Sequence, residues 1–165
     1  MSNKLDWKAA LWSGLIAGAV FMMMEMVLVA NIGAGSPWGP PRMIAALLLG
    51  NGVLPPPATF DLGILIVAMM IHFPLSVVFA TLLGWVVSHW KLGLLGSFAG
   101  GAIYGVIIYL VNFYGFTAIF PWFAGARTPI TLLSHLTFGL IMGWAYHAFA
   151  VRHFAHSFSD PNTAN

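Results

Sequence analysis

The chain has 165 residues, of which six are Lys or Arg, four are Asp or Glu and 60% are hydrophobic; a soluble domain carries roughly 25% charged residues. A formal charge of +2 with no basic block offers no nucleic-acid surface. The absence of cysteine excludes disulfides and thiolate metal sites, and no P-loop, dinucleotide fingerprint or HExxH motif is present.

This composition predicts an all-α integral membrane protein in one domain, residues 1–165. Four apolar segments, 9–30, 62–87, 92–119 and 131–151, each suffice to cross about 30 Å of hydrocarbon as a helix of about 20 residues. The first runs well past the roughly 7–15 apolar residues of a signal peptide and is expected to remain as a helix. It carries Gly14-x3-Gly18-x6-Glu25, offsets that place the three near one helical face.

The connection 31–61 is too long for a turn and holds two proline clusters, "GPP" and "LPPPATFD". Between them "RMIAALLLGN", which begins at Arg42, is too short to span and is expected to form an interfacial or re-entrant helix. Asp61 can cap the second span by accepting a backbone N–H. Within that span lies His72-x3-Ser76-x3-Ala80. The short connection around "SHWKLG" predicts a tight antiparallel pair of spans two and three.

Span three carries Gly101-x3-Gly105-x6-Asn112, and span four carries His135-x3-Gly139-x3-Gly143. Between them "PWFAGAR" ends on Arg127, matching the earlier "PWGPPR" that ends on Arg42. Thr128 and Pro129 open span four as a cap and a first-turn proline. The chain therefore reads as two hairpin repeats, about 9–90 and 92–153, of equal orientation about an axis along the membrane normal, followed by a polar tail, 154–165. Small residues at four-residue spacing allow close backbone approach. These faces predict packing within the bundle and association with further copies or a larger membrane complex.

Lys4, Lys8, Lys91 and Arg152 fall on one side of the predicted membrane, and Arg42 and Arg127 on the other. The first side is expected to be the cytoplasm, with both termini inside. Trp7, Trp12, Trp38, Trp90 and Trp122 near span ends fit an interfacial belt. Met22, Met23, Met24 and Met26 point around the whole helix and suit adaptable packing better than a Cu(I) path with Met69. His89, His147, His153 and His156 are expected to titrate near the inner surface.

"GLIAGAV" leading to "PPR", and the histidines in "IHFPLSVVFA" and "LLSHLTFG", resemble landmarks of the YagU-like bacterial inner-membrane proteins. "LPPPATFDLG" and "LVNFYGFTAIFPWFA" are similar to short four-span bacterial proteins, some labelled sodium:proline symporter. The resemblance implies a multi-pass inner-membrane topology. Transporters with that label use large paired repeats with broken helices, which four spans do not supply within one subunit.

Glu25, Asn112, His72 and His135 are expected at overlapping depths in the outer half of the bundle, with Arg42 and Arg127 above them, able to pair with Glu25 or an anionic ligand. Ionisable residues at such depth face the interior or a watery cavity. The first reading is a non-enzymatic structural or accessory protein, whose polar residues satisfy one another and hold the hairpins in register. The second is a metal or haem held by His72 and His135, with Glu25 as a third metal ligand. The third is an oligomeric channel or transporter for a proton or small solute. No nucleophile with a base and an orienting group can be assembled, so an enzyme is not expected.

Overall fold

A computed structural model describes residues 4–159, with side chains through residue 153. The polar tail's side chains, including His156, and the terminal residues lie outside that description. Five α-helices account for most of the described chain: α1 (Trp7–Asn31), α2 (Gly39–Leu49), α3 (Leu62–His89), α4 (Leu94–Leu110) and α5 (Pro129–Ser159). No strand occurs among the described residues. α1, α3 and the continuous helical stretch Leu94–Ala118 are long and apolar enough to cross a membrane. α5, at 31 residues, is the fourth long helix.

Each helix start follows from local chemistry. Asp6 Oδ1 accepts the Ala9 N–H at 2.9 Å, and Asp61 Oδ1 accepts the Ile64 N–H at 2.9 Å, each satisfying a donor that the helix itself leaves free. Thr128 Oγ1 accepts the Thr131 N–H at 3.2 Å, and Pro129 occupies the first helical position, where no N–H is needed. The expected short helix in the first long connection is α2, closed by Gly50 at φ 77°, a conformation that suits a residue without Cβ.

The helices are apolar on their outer as well as their inner faces: Met70 of α3 is 70% exposed and Leu95 of α4 is 83% exposed. That pattern suits helices surrounded by hydrocarbon. Their mutual contacts are made by small residues instead. A Cβ built on Gly14 would lie 2.7 Å from the Val77 Cα, and one on Gly18 would lie 2.7 Å from Ser76 Oγ, so α1 rests directly on α3. α4 and α5 meet more closely still. A Cβ on Gly101 would collide with the Gly139 carbonyl oxygen, one on Gly105 with the His135 carbonyl oxygen, and one on Gly143 with the Ser97 carbonyl oxygen. Ala80, Leu83, Val87, Met142 and Tyr146 complete the buried core between α3 and α5.

Two sequence expectations change here. Spans two and three do not form a tight pair: α3 and α4 touch sparsely, for example where Phe79 meets Tyr104 at 6.4 Å. The glycine face of α4 turns toward α5, because glycine on both sides permits a backbone approach that α3 cannot match. The glycine faces thus pack within the bundle, as their spacing predicts. Finally, the third span is not regular to residue 119. It passes into a π turn at Val111–Gly115 and a 3-10 turn at Phe116–Ala118.

At the end of the bundle that carries both termini, the buried Tyr146 ring fills the space left by Gly84. Its hydroxyl accepts the Asp6 N–H at 3.0 Å and bonds Ser88 Oγ at 2.7 Å. His153 Nδ1 lies 2.8 Å from Asp6 Oδ2. His153, whose side chain is 41% exposed, is therefore a surface residue held to the start of α1. His147 departs from expectation, with its Nδ1 buried and unpartnered.

Candidate functional site

At the opposite end, the four long helices, α2 and the turn Pro121–Ala126 line a partly open cavity of about 550 Å³. Its wall includes Glu25 of α1, His72 and Ser76 of α3, Asn112 of the π turn, and Thr131 and His135 of α5. Sequence periodicity thus brought Glu25, Asn112 and both histidines to one space. The two arginines are not on the wall.

Glu25 is 5% exposed. Thr128 and Thr131 are joined at 3.1 Å, and Thr131 Oγ1 donates to Glu25 Oε1 at 2.8 Å. A hydroxyl has one hydrogen, so Thr131 spends its own on Glu25 and accepts that of Thr128. The result is a directed chain from Thr128 through Thr131 to the carboxyl group. Glu25 Oε2 is buried with no partner. A buried acceptor left unpaired costs roughly 1–3 kcal/mol, and the fold carries that cost at the second oxygen.

The histidines are each fixed by a backbone carbonyl. His72 Nε2 lies 2.9 Å from the Gly18 oxygen, across the α1–α3 contact, and must donate there because a carbonyl only accepts. His135 Nδ1 lies 2.8 Å from the Thr131 oxygen one turn back in its own helix and donates likewise. Its Nε2 keeps a lone pair. Between the two rings stands Phe21, stacked on His72 at 5.6 Å and edge-on to His135 at 4.7 Å. The imidazoles share a cavity and a phenyl neighbour. They do not bond to each other, to Glu25 or to Asn112, so the mutual satisfaction expected among these four is replaced by bonds to Thr131 and to backbone. A buried helix offers a carbonyl wherever small residues let a side chain approach, and Gly18 is such a place.

Arg42 and Arg127 serve the loops. Arg42 donates to the Thr59 oxygen from Nε at 3.1 Å and from one terminal nitrogen at 3.0 Å, and to the Val53 oxygen at 2.7 Å. Arg127 Nε donates to the Phe113 oxygen at 2.6 Å, a second nitrogen reaches Thr117 Oγ1 at 2.9 Å, and the guanidinium lies 4.5 Å above the Tyr114 ring. Neither forms an ion pair with Glu25, contrary to expectation. The physical cause is the irregular backbone. Proline-rich loops and a π turn leave carbonyls without helical partners, and a planar five-donor fork can satisfy several at once.

Two serines of the wall are committed as well. Ser76 Oγ donates to the His72 carbonyl at 2.9 Å in its own helix, and Ser36 Oγ donates to the Ala58 oxygen. Among the described residues no three His, Asp or Glu side chains converge as metal ligands, and His72 would have to release Gly18 before its Nε2 could ligate anything. Among the methionines Met43 of α2 lines the cavity, whereas the Met22–Met26 group and Met69 do not.

Sequence reading missed Thr131, Thr128, Phe21 and the contribution of α2. The first two stood in plain view as the opening of α5, but the capping role concealed the second bond that Thr131 makes to α1. No family model, no curated protein and no solved structure matches this chain.

Proposed function

We propose that this chain is a non-enzymatic, four-span bacterial inner-membrane protein, with both termini cytoplasmic, that holds a small, largely apolar molecule in the outer half of its bundle. The observation that carries this reading is the cavity of about 550 Å³ with a buried carboxyl group on its wall. Ligand sites are typically concave, apolar and supplied with a few polar groups. The YagU-like motifs and the cation asymmetry support the membrane and its orientation. Two hairpin copies are supported by matched contacts: Gly14 and Gly18 face Ser76 and His72 as Gly101 and Gly105 face Gly139 and His135.

A non-enzymatic role is supported by the commitments of the polar wall, since Ser76 and both imidazoles are engaged with backbone carbonyls. The accessory or structural reading, in which this layer only holds the hairpins in register, is favoured by the Thr128–Thr131–Glu25 chain that links α5 to α1. Binding of phenylnaphthylamine, a neutral fluorophore, to protein in lipid nanodiscs separates the two. Saturable binding that is lost when Ile44→Trp fills the cavity supports the ligand reading. Signal no greater than that of empty nanodiscs leaves the register role alone.

A further inference from the structure

The polar atoms and charges of the cavity wall form a one-sided set. The hydrogens of Thr128, Thr131, Ser36 and Ser76 are donated to protein acceptors, as are the hydrogens of the two neutral imidazoles. The buried atom that remains without a partner is Glu25 Oε2; each imidazole also keeps the lone pair of its second nitrogen. Asn112, which could donate or accept, is the exception. The wall has one carboxyl group and no Lys or Arg; Arg42 is spent on loop carbonyls and Arg127 on the carbonyl of Phe113, a residue of the wall.

Three occupants can be compared. An anion would meet Glu25 with no compensating cation. A neutral hydrocarbon would fill the space and leave Oε2 unpaired, which retains the cost of a buried acceptor. A cation would pair with the carboxylate, and a protonated amine would in addition donate a hydrogen bond to it. Phe21, Phe113 and Phe138 border the same space, and the negative face of an aromatic ring attracts an organic cation by about 0.5–2 kcal/mol.

We infer that the occupant is an organic cation carried on an apolar body, paired with Glu25. This rests on the cavity being a ligand site, as proposed above. Glu25 supplies the charge complement, Thr131 holds its Oε1 so that Oε2 is the oxygen offered, and the phenyl rings receive the apolar body.

The test uses tetraphenylphosphonium and tetraphenylborate, nearly equal in shape and opposite in charge, titrated calorimetrically against the full chain in zwitterionic nanodiscs with empty nanodiscs as the blank. The cation is expected to bind at least about tenfold more tightly than the anion. In Glu25→Gln the cation's affinity should fall about tenfold or more, so that its preference over the anion is lost. Equal binding of the two ions, or tighter binding of the anion, overturns the assignment while the cavity reading survives. If phenylnaphthylamine and both ions all fail to bind, the ligand reading falls with it. The wild-type ratio needs no variant, so misfolding of Glu25→Gln does not shield the inference.

Discussion

Thr131 donates its hydroxyl hydrogen to Glu25 Oε1 across 2.8 Å, so the first turn of the last helix is tied to the final third of the first. The pair closes the bundle at the end where the loops lie. It also places the carboxyl group at the cavity, because the bond holds one oxygen and so determines where the other can sit.

Thr131→Val keeps the shape and removes that donor. Loss of thermal stability in detergent equivalent to about 1–3 kcal/mol is expected, since both Glu25 oxygens are then unpaired. Thr131→Ser should recover most of it. Thr131→Val with wild-type stability would show that Glu25 finds another partner.

Gly101 and Gly139 should not tolerate even alanine. A Cβ at either meets the other's carbonyl oxygen, a backbone atom that no rotamer change can move. Gly139→Ala is expected to cost about 1–3 kcal/mol or more through forced separation of α4 and α5. Leu133→Ala, on the exposed face of α5, should be mild. Comparable melting temperatures for the two variants would refute the close contact.

Arg127→Lys keeps the charge and loses the fork. Lysine cannot reach the Phe113 carbonyl, the Thr117 hydroxyl and the Tyr114 face together. Amide hydrogen exchange in 111–118 should accelerate about tenfold or more, while the cores of α1 and α3 remain protected. Unchanged exchange in that segment would mean that the π turn is stable without its arginine.

Tyr146→Phe removes the hydroxyl that joins the Asp6 amide to Ser88. Two partners inside the bundle lose their bond, and a destabilisation of about 1–3 kcal/mol is expected. Denaturation in mixed micelles measures it. An effect indistinguishable from zero would show that water replaces the hydroxyl at this end.

The orientation is tested by reporter fusions that are active only in the periplasm. A fusion after Gly50 should be active and one after His156 inactive, since Lys4, Lys8, Lys91 and Arg152 are expected inside. The reverse pattern would invert the topology.

Apolar length and capping residues were enough to place the helices. Segments 9–30 and 62–87 lie within α1 and α3, and Asp61 and Thr128–Pro129 open their helices as read. Four-residue spacing of Gly, Ser and His placed Glu25, His72, Asn112 and His135 at one cavity, because positions four and eleven apart return to the same helical face. Partner choice was not legible in this way. Periodicity says which side a residue occupies, whereas a hydrogen bond depends on which atom of a neighbouring helix comes within about 3 Å.

By itself the sequence determined an all-helical chain with apolar helices of membrane-crossing length, and it determined which faces carry polar and small residues. Both are local properties, set by residue type and by the 3.6-residue turn. Tertiary structure decided the pairings. It packed the glycines of α4 on those of α5, turned Arg42 onto loop carbonyls and Arg127 onto the Phe113 carbonyl of the π turn, and gave Glu25 one partner where its carboxyl group could take two. Those outcomes depend on separations between helices far apart in sequence, which arise only when all the helices pack at once.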